Sequence, residues 1–154
     1  DPFTSLDPRM TVKDLLEGKG YDIYTTAPGD SIRQALILMA EKHIGALPVM
    51  EEGRVVGIFS ERDFARHAVE FNDCLSLDVP VRDLMSHPVY FVSPDQTVDE
   101  CMAVMTAKKL RHLPVLDEGK LTGLVSIGDV VKQQLAEKQS TIEMLEHFLW
   151  VNLI

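Results

Sequence analysis

Two segments of the chain carry apolar residues at helical spacing, one beginning at Ile32 and the other at Val98. The first stripe consists of Ile32, Ala35, Leu36, Met39 and Ala40, and the second consists of Val98, Cys101, Met102 and Met105. Apolar residues that recur every three or four positions predict a helix with one buried face. Each half of the chain is therefore expected to contain one amphipathic helix that packs on a core.

A pair of short apolar runs follows each of these helices, and a turn containing glycine joins each pair. The runs are 46–50 and 54–59 in the first half, and 113–116 and 121–125 in the second half. Runs of this length around turn residues predict β-hairpins. The other predicted elements are short helices at 12–16 and 81–85, short strands at 22–26 and 87–93, and a helix at 61–70. We expect Gly18 and Gly20 to stop the first helix and Gly45 to end the second.

The second half of the chain repeats the first half at an offset of 66 residues, which takes Pro48 to Pro114 and Asp63 to Asp129. Ten of the 34 positions from 30 to 63 are identical to their partners without a gap. These are Met39, Lys42, Leu47, Pro48, Val49, Glu52, Gly53, Gly57, Ser60 and Asp63. Such a duplication predicts two similar units. The pattern of elements indicates an α/β (α+β) fold, with one unit at 11–70, a linker at 71–80 and a second unit at 81–138.

The two ends of the chain fall outside this repeat. Residues 1–10 resemble an expression-tag remnant and an N-terminal tail, so we exclude them from the fold. Residues 139–154 carry apolar side chains at helical spacing, namely Ile142, Leu145, Phe148 and Leu149. This predicted helix has to bury its apolar stripe, either on its own domain or in a subunit interface, and we favour the interface.

Composition excludes several classes of protein. The chain is 45% hydrophobic without a signal peptide or a membrane-length apolar run, so we expect a cytoplasmic protein with no membrane partner. Its net charge of −9 argues against nucleic acid as a partner, although a few basic residues can still bind one small anion. Cys74 and Cys101 lack metal or redox spacing, and the five histidines form no zinc motif, so neither a disulfide nor a metal site is expected.

The motif Gly-h-x-Ser-x-x-Asp, in which h is an apolar residue, ends a predicted strand and begins a helix in both units. Ser60 and Asp63 in the first copy could simply cap the first turn of the helix. Alternatively, the helix amides and the serine hydroxyl could bind a phosphate while the aspartate accepts hydrogen bonds from a ribose diol. Gly57 and Gly123 would then let a ligand approach the backbone. Two copies of the motif favour the ligand site, although they do not name the ligand.

These twin units, with their Leu-Pro-Val and Gly-h-x-Ser-x-x-Asp segments, resemble a pair of cystathionine-β-synthase (CBS) domains, also called a Bateman module. The resemblance covers about residues 11–138. It implies two β-α-β-β-α repeats packed sheet to sheet around a pseudo-twofold axis, with two clefts between them. It also implies ligands that contain adenosine, namely AMP, ADP, ATP, NAD(H) or S-adenosylmethionine. Such modules form disc-like homodimers and act as regulatory sensors rather than catalysts.

The resemblance also assigns roles to individual residues. Asp63 and Asp129 match the ribose-binding aspartate, and Ser60 and Ser126 match the adjacent Ser/Thr. Main-chain groups of the segment that enters the opposite repeat would bind the adenine, which pairs Thr25 with Asp129 and Val92 with Asp63. The candidate nucleotide-binding residues are Thr25, Thr26, Ile58, Ser60, Arg62, Asp63, Val92, Arg111, His112, Pro114, Ser126, Gly128 and Asp129.

The two clefts are not expected to be equivalent. Arg111 and His112 precede Leu-Pro-Val in the second repeat, where the first repeat has Gly45 and Ala46, and Arg62 corresponds to Gly128. The arginines could be surface charges paired with nearby acids, but in an acidic chain their position at the motifs favours an anion site. His112 fits either a strand position or the site. Lys42 and Lys108 are interpreted as solvated helix residues.

Three classes of function remain to be compared. We favour a regulatory module in which nucleotide binding changes the packing of the repeats and an unknown effector protein responds to the change. The alternative is a structural dimerisation module that needs no ligand. An enzyme is disfavoured because the chain contains no Walker-type phosphate loop, no metal cluster and no nucleophile–histidine–acid arrangement with supporting context.

Overall fold

The computed structural model describes residues 10–70, 76–136, 143 and 146–147. The predictions for the N-terminal tail, for Cys74 and for the apolar stripe of the C-terminal helix lie outside these residues. The elements of the first half are α1 (Val12–Lys19), α2 (Ile32–Lys42), β1 (Ala46–Glu51), β2 (Arg54–Ser60) and α3 (Glu61–Glu70). Those of the second half are a 3₁₀ helix (Val81–Asp83), α4 (Val98–Lys108), β3 (His112–Asp117), β4 (Lys120–Ser126) and α5 (Ile127–Ala136). The mixed α+β fold and the duplication are both confirmed.

The two hairpins are antiparallel two-stranded sheets with the same register. Pro48 lies opposite Ile58 in the first sheet, and Pro114 lies opposite Leu124 in the second. Both ladders shift at the residue after the Leu-Pro-Val segment. The turns match as well, because each begins with a glutamate at a φ of 51° and continues with a glycine at positive φ. The repeat therefore extends to the irregular parts of the backbone.

The short strands predicted at 22–26 and 87–93 are largely absent. The only pairing of the first segment with the hairpin is an isolated bridge between Thr26 and Val49, and the second has the equivalent bridge between Val92 and Val115. The chain turns away directly after Thr26, because Asp30 accepts a hydrogen bond from the Ala27 amide at 2.9 Å. One residue in each segment reaches the sheet, where a full strand was expected.

Three predictions of helix ends were wrong. Gly18 does not stop helix α1, which continues to Lys19, whereas Gly20 ends the helix as predicted, with a φ of 105°. Residues 81–85 form only a 3₁₀ turn, because the chain then pairs through Ser86 with β2. Helix α2 ends before Gly45, since His43 adopts the left-handed conformation with a φ of 54°. An ordinary side chain thus takes the position where glycine is the common choice.

The segment that leads into each repeat packs in the core of the other repeat. Helix α1 contributes Val12, Leu15 and Leu16 to a core built otherwise from the second half, in which Cys101 is fully buried as predicted. The 3₁₀ segment contributes Val81 and Leu84 to the core of the first half. The two repeats have therefore exchanged their leading segments.

Two glycines permit this exchange. A methyl group on Gly57 would lie 2.9 Å from Met85 Cγ, and one on Gly123 would lie 2.7 Å from both δ-carbons of Leu16. Real carbon contacts are longer than this, so neither position has space for a side chain. The sequence interpretation, that these glycines admit a ligand, was wrong. They face the leading segment of the opposite repeat.

Candidate functional site

Asp63 is the buried carboxylate of the first motif, with 6% of its surface exposed. The Ser60 amide and hydroxyl donate to its Oδ2 atom at 3.1 and 3.0 Å, and the Asp63 amide donates in return to Ser60 Oγ at 3.1 Å. This is the reciprocal cap expected from the sequence. A third donor comes from the other repeat, because Ser86 Oγ lies 2.9 Å from Asp63 Oδ1. The carboxylate is thus fixed from both sides.

A cavity of about 340 Å³ opens beside Asp63, and both repeats line it. This volume falls within the range of small-molecule sites, roughly 300–1,000 Å³. Five of its lining residues are basic, namely Arg62, Arg66, Lys108, Lys109 and Arg111. Basic side chains concentrated in one cavity of a chain with a net charge of −9 favour an anionic ligand.

A second cavity, of about 260 Å³, adjoins the basic one. The two share Ile58, Ser86, Leu110 and His112 as lining residues. The remaining lining of the second cavity is mainly apolar or aromatic, and includes Pro114 and Tyr90. The ammonium group of Lys108 lies 5.0 Å from the centre of the Tyr90 ring, so that ring stands at the boundary between the two cavities. Together they form a site with a basic end and an apolar end.

His112 stands between the two motifs. Burial lowers the pKa of its imidazole below the usual value of 6.5, and the positive charges of Lys19 and Arg111 also lower it, whereas Asp129 and Asp63 act in the opposite direction. The ring also faces Gly45, where an added methyl group would lie 3.5 Å from its Nε2 atom. His112 is therefore a neutral donor and acceptor at pH 7 within the site.

The second motif has different surroundings. Ser126 caps its helix as Ser60 does, with its amide 2.8 Å from Asp129 Oδ2. However, Lys19 Nζ lies 2.5 Å from the same oxygen and 2.6 Å from the Leu124 carbonyl oxygen. Burial opposes ionisation of Asp129, but hydrogen bonds from Lys19 and Ser126 outweigh it and lower the pKa of this carboxyl. The carboxylate of the second motif therefore forms an ion pair with a lysine of the same chain.

The residues predicted from the sequence divide into three groups. Those that line the two adjoining cavities are Ile58, Ser60, Arg62, Asp63, Arg111, His112 and Pro114. Ser126 and Asp129 form the second motif, beside the exposed Gly128. Thr26 and Val92 are buried, and Thr25 is exposed.

The main-chain groups of Val92, which were predicted to bind a ligand, are both hydrogen-bonded within the protein. Its amide donates to the Pro114 carbonyl at 3.0 Å, and its carbonyl accepts from the Leu116 amide at 2.9 Å. Thr26 is engaged in the equivalent way with the first hairpin. Residues 86–90, which precede Val92, line the cavity instead. The part of this leading segment that lines the cavity thus lies several residues before Val92.

Sequence reasoning missed the roles of Ser86, Tyr90, Lys108 and Lys19. A signal was present for two of them, because a lysine–tyrosine pair recurs at the repeat offset. Lys42 lies over Tyr24 at 5.0 Å, and Lys108 lies over Tyr90 at the same distance. Both lysines are exposed, as predicted, and the sequence interpretation missed only their contacts with the tyrosine rings. Ser86 and Lys19 carried no such signal, since neither residue type recurs at its partner position.

Comparisons with known proteins agree with this architecture. A structure of a putative signal-transduction protein with CBS domains from Burkholderia ambifaria is 46% identical, with a TM-score of 0.77, over 82% of this chain and 95% of that one. The structure of CBSX2 in complex with AMP is 29% identical, with a TM-score of 0.68, over 84% and 98%. The CBS domain pair of protein MJ0100, in complex with 5-methylthioadenosine and S-adenosyl-L-methionine, is 25% identical, with a TM-score of 0.74, over 84% and 99%.

In the part of the chain that the structure describes, no helix is both long and apolar enough to cross a membrane.

The family model for the CBS domain matches this chain twice, at residues 19–70 and 81–136. These two matches coincide with the two hairpin units and account for most of the chain. The chain belongs to the CBS domain family, as a tandem pair of such domains.

Proposed function

We propose that this chain is a non-catalytic regulatory module that binds an adenine nucleotide in the cavity beside Asp63. The observation that carries the proposal is the position of one buried, hydroxyl-bound carboxylate at the edge of a cavity lined by five basic side chains. A nucleotide combines a neutral diol with anionic phosphates. The cavity offers an acceptor for the first and cations for the second.

The ribose diol is assigned to Asp63. A carboxylate has about four lone-pair positions for hydrogen-bond donors. Ser60 uses two of them on Oδ2, and Ser86 uses one on Oδ1. Oδ1 therefore keeps a position for a ligand hydroxyl, and charge-assisted bonds of this kind are stronger than neutral ones.

The phosphates are assigned to the basic end of the cavity, where Arg62 of one repeat faces Lys108 and Arg111 of the other. Arginine binds phosphate oxygens in a bidentate manner, and lysine adds a compact charge. This chemistry favours AMP, ADP, ATP or NAD(H) over S-adenosylmethionine, which has a positive sulfonium group and no phosphate. The AMP complex of CBSX2 supports the same class of ligand.

The base is assigned to the adjoining apolar cavity. Tyr90 is 42% exposed and lies among Pro114, Val89 and Leu110. Stacking of a base on an aromatic side chain contributes about 1–3 kcal/mol. The apolar end of the site therefore suits an adenine, with its ribose next to Asp63.

A regulatory output requires that ligand binding favours one arrangement of the protein over another. Because the cavity is built from both repeats, a nucleotide there links their relative positions. We also propose a homodimer, through the exposed apolar side chains that recur every fourth residue on α5, namely Ile127, Val131 and Leu135. An effector protein would respond to the dimer's nucleotide-bound form.

Isothermal titration of the protein with AMP, ATP and S-adenosylmethionine tests the proposal. We expect heat with the two nucleotides and a loss of at least tenfold in affinity for Asp63→Asn. The matched control is Asp99→Asn, an exposed aspartate on α4 that loses the same charge outside the cavity. Absence of binding by the unaltered protein, or equal affinity in both variants, would contradict the proposal.

A further inference from the structure

Lys19 takes the position at the second motif that a ligand would need. Its ammonium group contacts Asp129 Oδ2 at 2.5 Å and the main-chain oxygen of Leu124 at 2.6 Å. By the repeat offset, these two groups correspond to Asp63 and Ile58 of the first motif. The lysine therefore bridges the carboxylate and the backbone at the place equivalent to the proposed ribose site.

At the equivalent place in the first motif, a serine and not a lysine contacts the carboxylate. There the Ile58 carbonyl accepts from the Ser86 amide at 2.8 Å, and Asp63 accepts from the Ser86 hydroxyl. Serine is short and neutral, so it satisfies one lone pair and leaves the charge of Asp63 available. Lys19 is long and charged, and it neutralises Asp129.

The difference arises from the length of the leading segments. Both begin alike, since Val12 to Leu15 corresponds to Val81 to Leu84, but the first segment is longer by three residues before the lysine-bound tyrosine. Those residues allow α1 to continue to Lys19, whereas the second segment leaves its 3₁₀ turn at once. Only the longer segment carries an ammonium group to the opposite motif.

We propose that Lys19 closes the Asp129 site, so that each chain binds one nucleotide, at Asp63, although it contains two motifs. The proposal rests on the proposed function of the Asp63 cavity. A ribose diol at Asp129 would have to displace the ammonium group, which would leave that partly buried carboxylate without its ion-pair partner. The tandem repeat is thus a single-site module, and removal of Lys19 restores the second site.

The test counts ligands per chain by isothermal titration and native mass spectrometry with AMP. We expect one equivalent for the unaltered protein and two for Lys19→Ala. The matched control is Lys13→Ala on the same helix, which loses the same charge on an exposed face and should keep one equivalent. Adding Asp129→Asn to Lys19→Ala should return the count to one.

Two equivalents in the unaltered protein, or one in Lys19→Ala, would overturn the inference while the proposed function stands. If neither protein binds AMP, the proposed function fails, and the contact is tested without ligand. Carbon NMR should then show that the Asp129 carboxyl titrates at higher pH in Lys19→Ala than in the unaltered protein. An unchanged titration would show that Lys19 does not occupy Asp129.

Discussion

Ser86 donates its hydroxyl hydrogen to Asp63 at 2.9 Å, so a residue at the entrance of the second repeat holds the buried carboxylate of the first. The adjacent main chain strengthens this link, because the amides and carbonyls of Ser86 and Ile58 pair at 2.8 and 3.1 Å. The carboxylate is thereby oriented before any ligand arrives. This contact gives the first prediction.

We expect Ser86→Ala to lower the free energy of unfolding by about 1–2 kcal/mol, because a hydrogen bond to a charged acceptor is lost in a partly buried place. Urea denaturation measures this change. Glu17→Ala alters the equivalent position of the other leading segment, which is exposed, and should change stability much less. Equal losses in the two variants would show that the hydroxyl contributes nothing specific.

Arg111→Ala should weaken ATP binding by about tenfold, the loss of roughly 1.4 kcal/mol of charge-assisted hydrogen bonding. Binding of adenosine, which has no phosphate, should change little. Arg54→Ala removes an exposed arginine outside the cavity and serves as the control. A similar loss for ATP and adenosine would place the role of Arg111 in folding instead of phosphate binding.

Gly57→Ala should destabilise the protein by about 1–3 kcal/mol, because the new methyl group overlaps the stem of Met85. When Met85 is shortened to alanine, adding Gly57→Ala should cost less stability than Gly57→Ala costs in the unaltered protein. Gly18→Ala is the opposite control, since its added methyl group meets nothing within 4 Å in helix α1. That change should stabilise the protein by about 0.5–1 kcal/mol, and thermal melting compares all of these variants.

The stability of the protein should depend on pH through His112. Burial lowers its pKa in the folded state, so below about pH 6.5 the unfolded chain takes up the proton first. The contribution of His112 is therefore complete above the unfolded pKa and is lost as the pH falls towards the folded one. The slope of unfolding free energy between pH 7.5 and 5 should be smaller in His112→Gln than in the unaltered protein.

The sequence predicts the fold well where the signal is local and repeated. Hairpins, the amphipathic stripes of α2 and α4, and the helix at Glu61–Glu70 all follow from periodicity, turn residues and caps. The element ends were less predictable, because long-range contacts decide them. Gly18 is helical since the helix packs on the opposite repeat, and Thr26 pairs at a single position since the turn begins at the next residue.

The candidate site was predictable only in part. Asp63, Ser60, Arg62 and Arg111 could be found from the motif and its resemblance. Lys19 could not, because its partner Asp129 is 110 residues away and nothing in the local sequence of α1 indicates that distance. The exchange of the leading segments brings Lys19 and Asp129 together. Aligning the two repeats in sequence does not reveal that exchange.

That exchange also makes the two repeats interdependent. Val12 and Leu16 complete the core beside the second hairpin, and Val81 and Leu84 complete the core beside the first. Segments are traded in the same way in a domain-swapped dimer, but here both partners belong to one chain. Either repeat cut off after its own leading segment would therefore have an incomplete core.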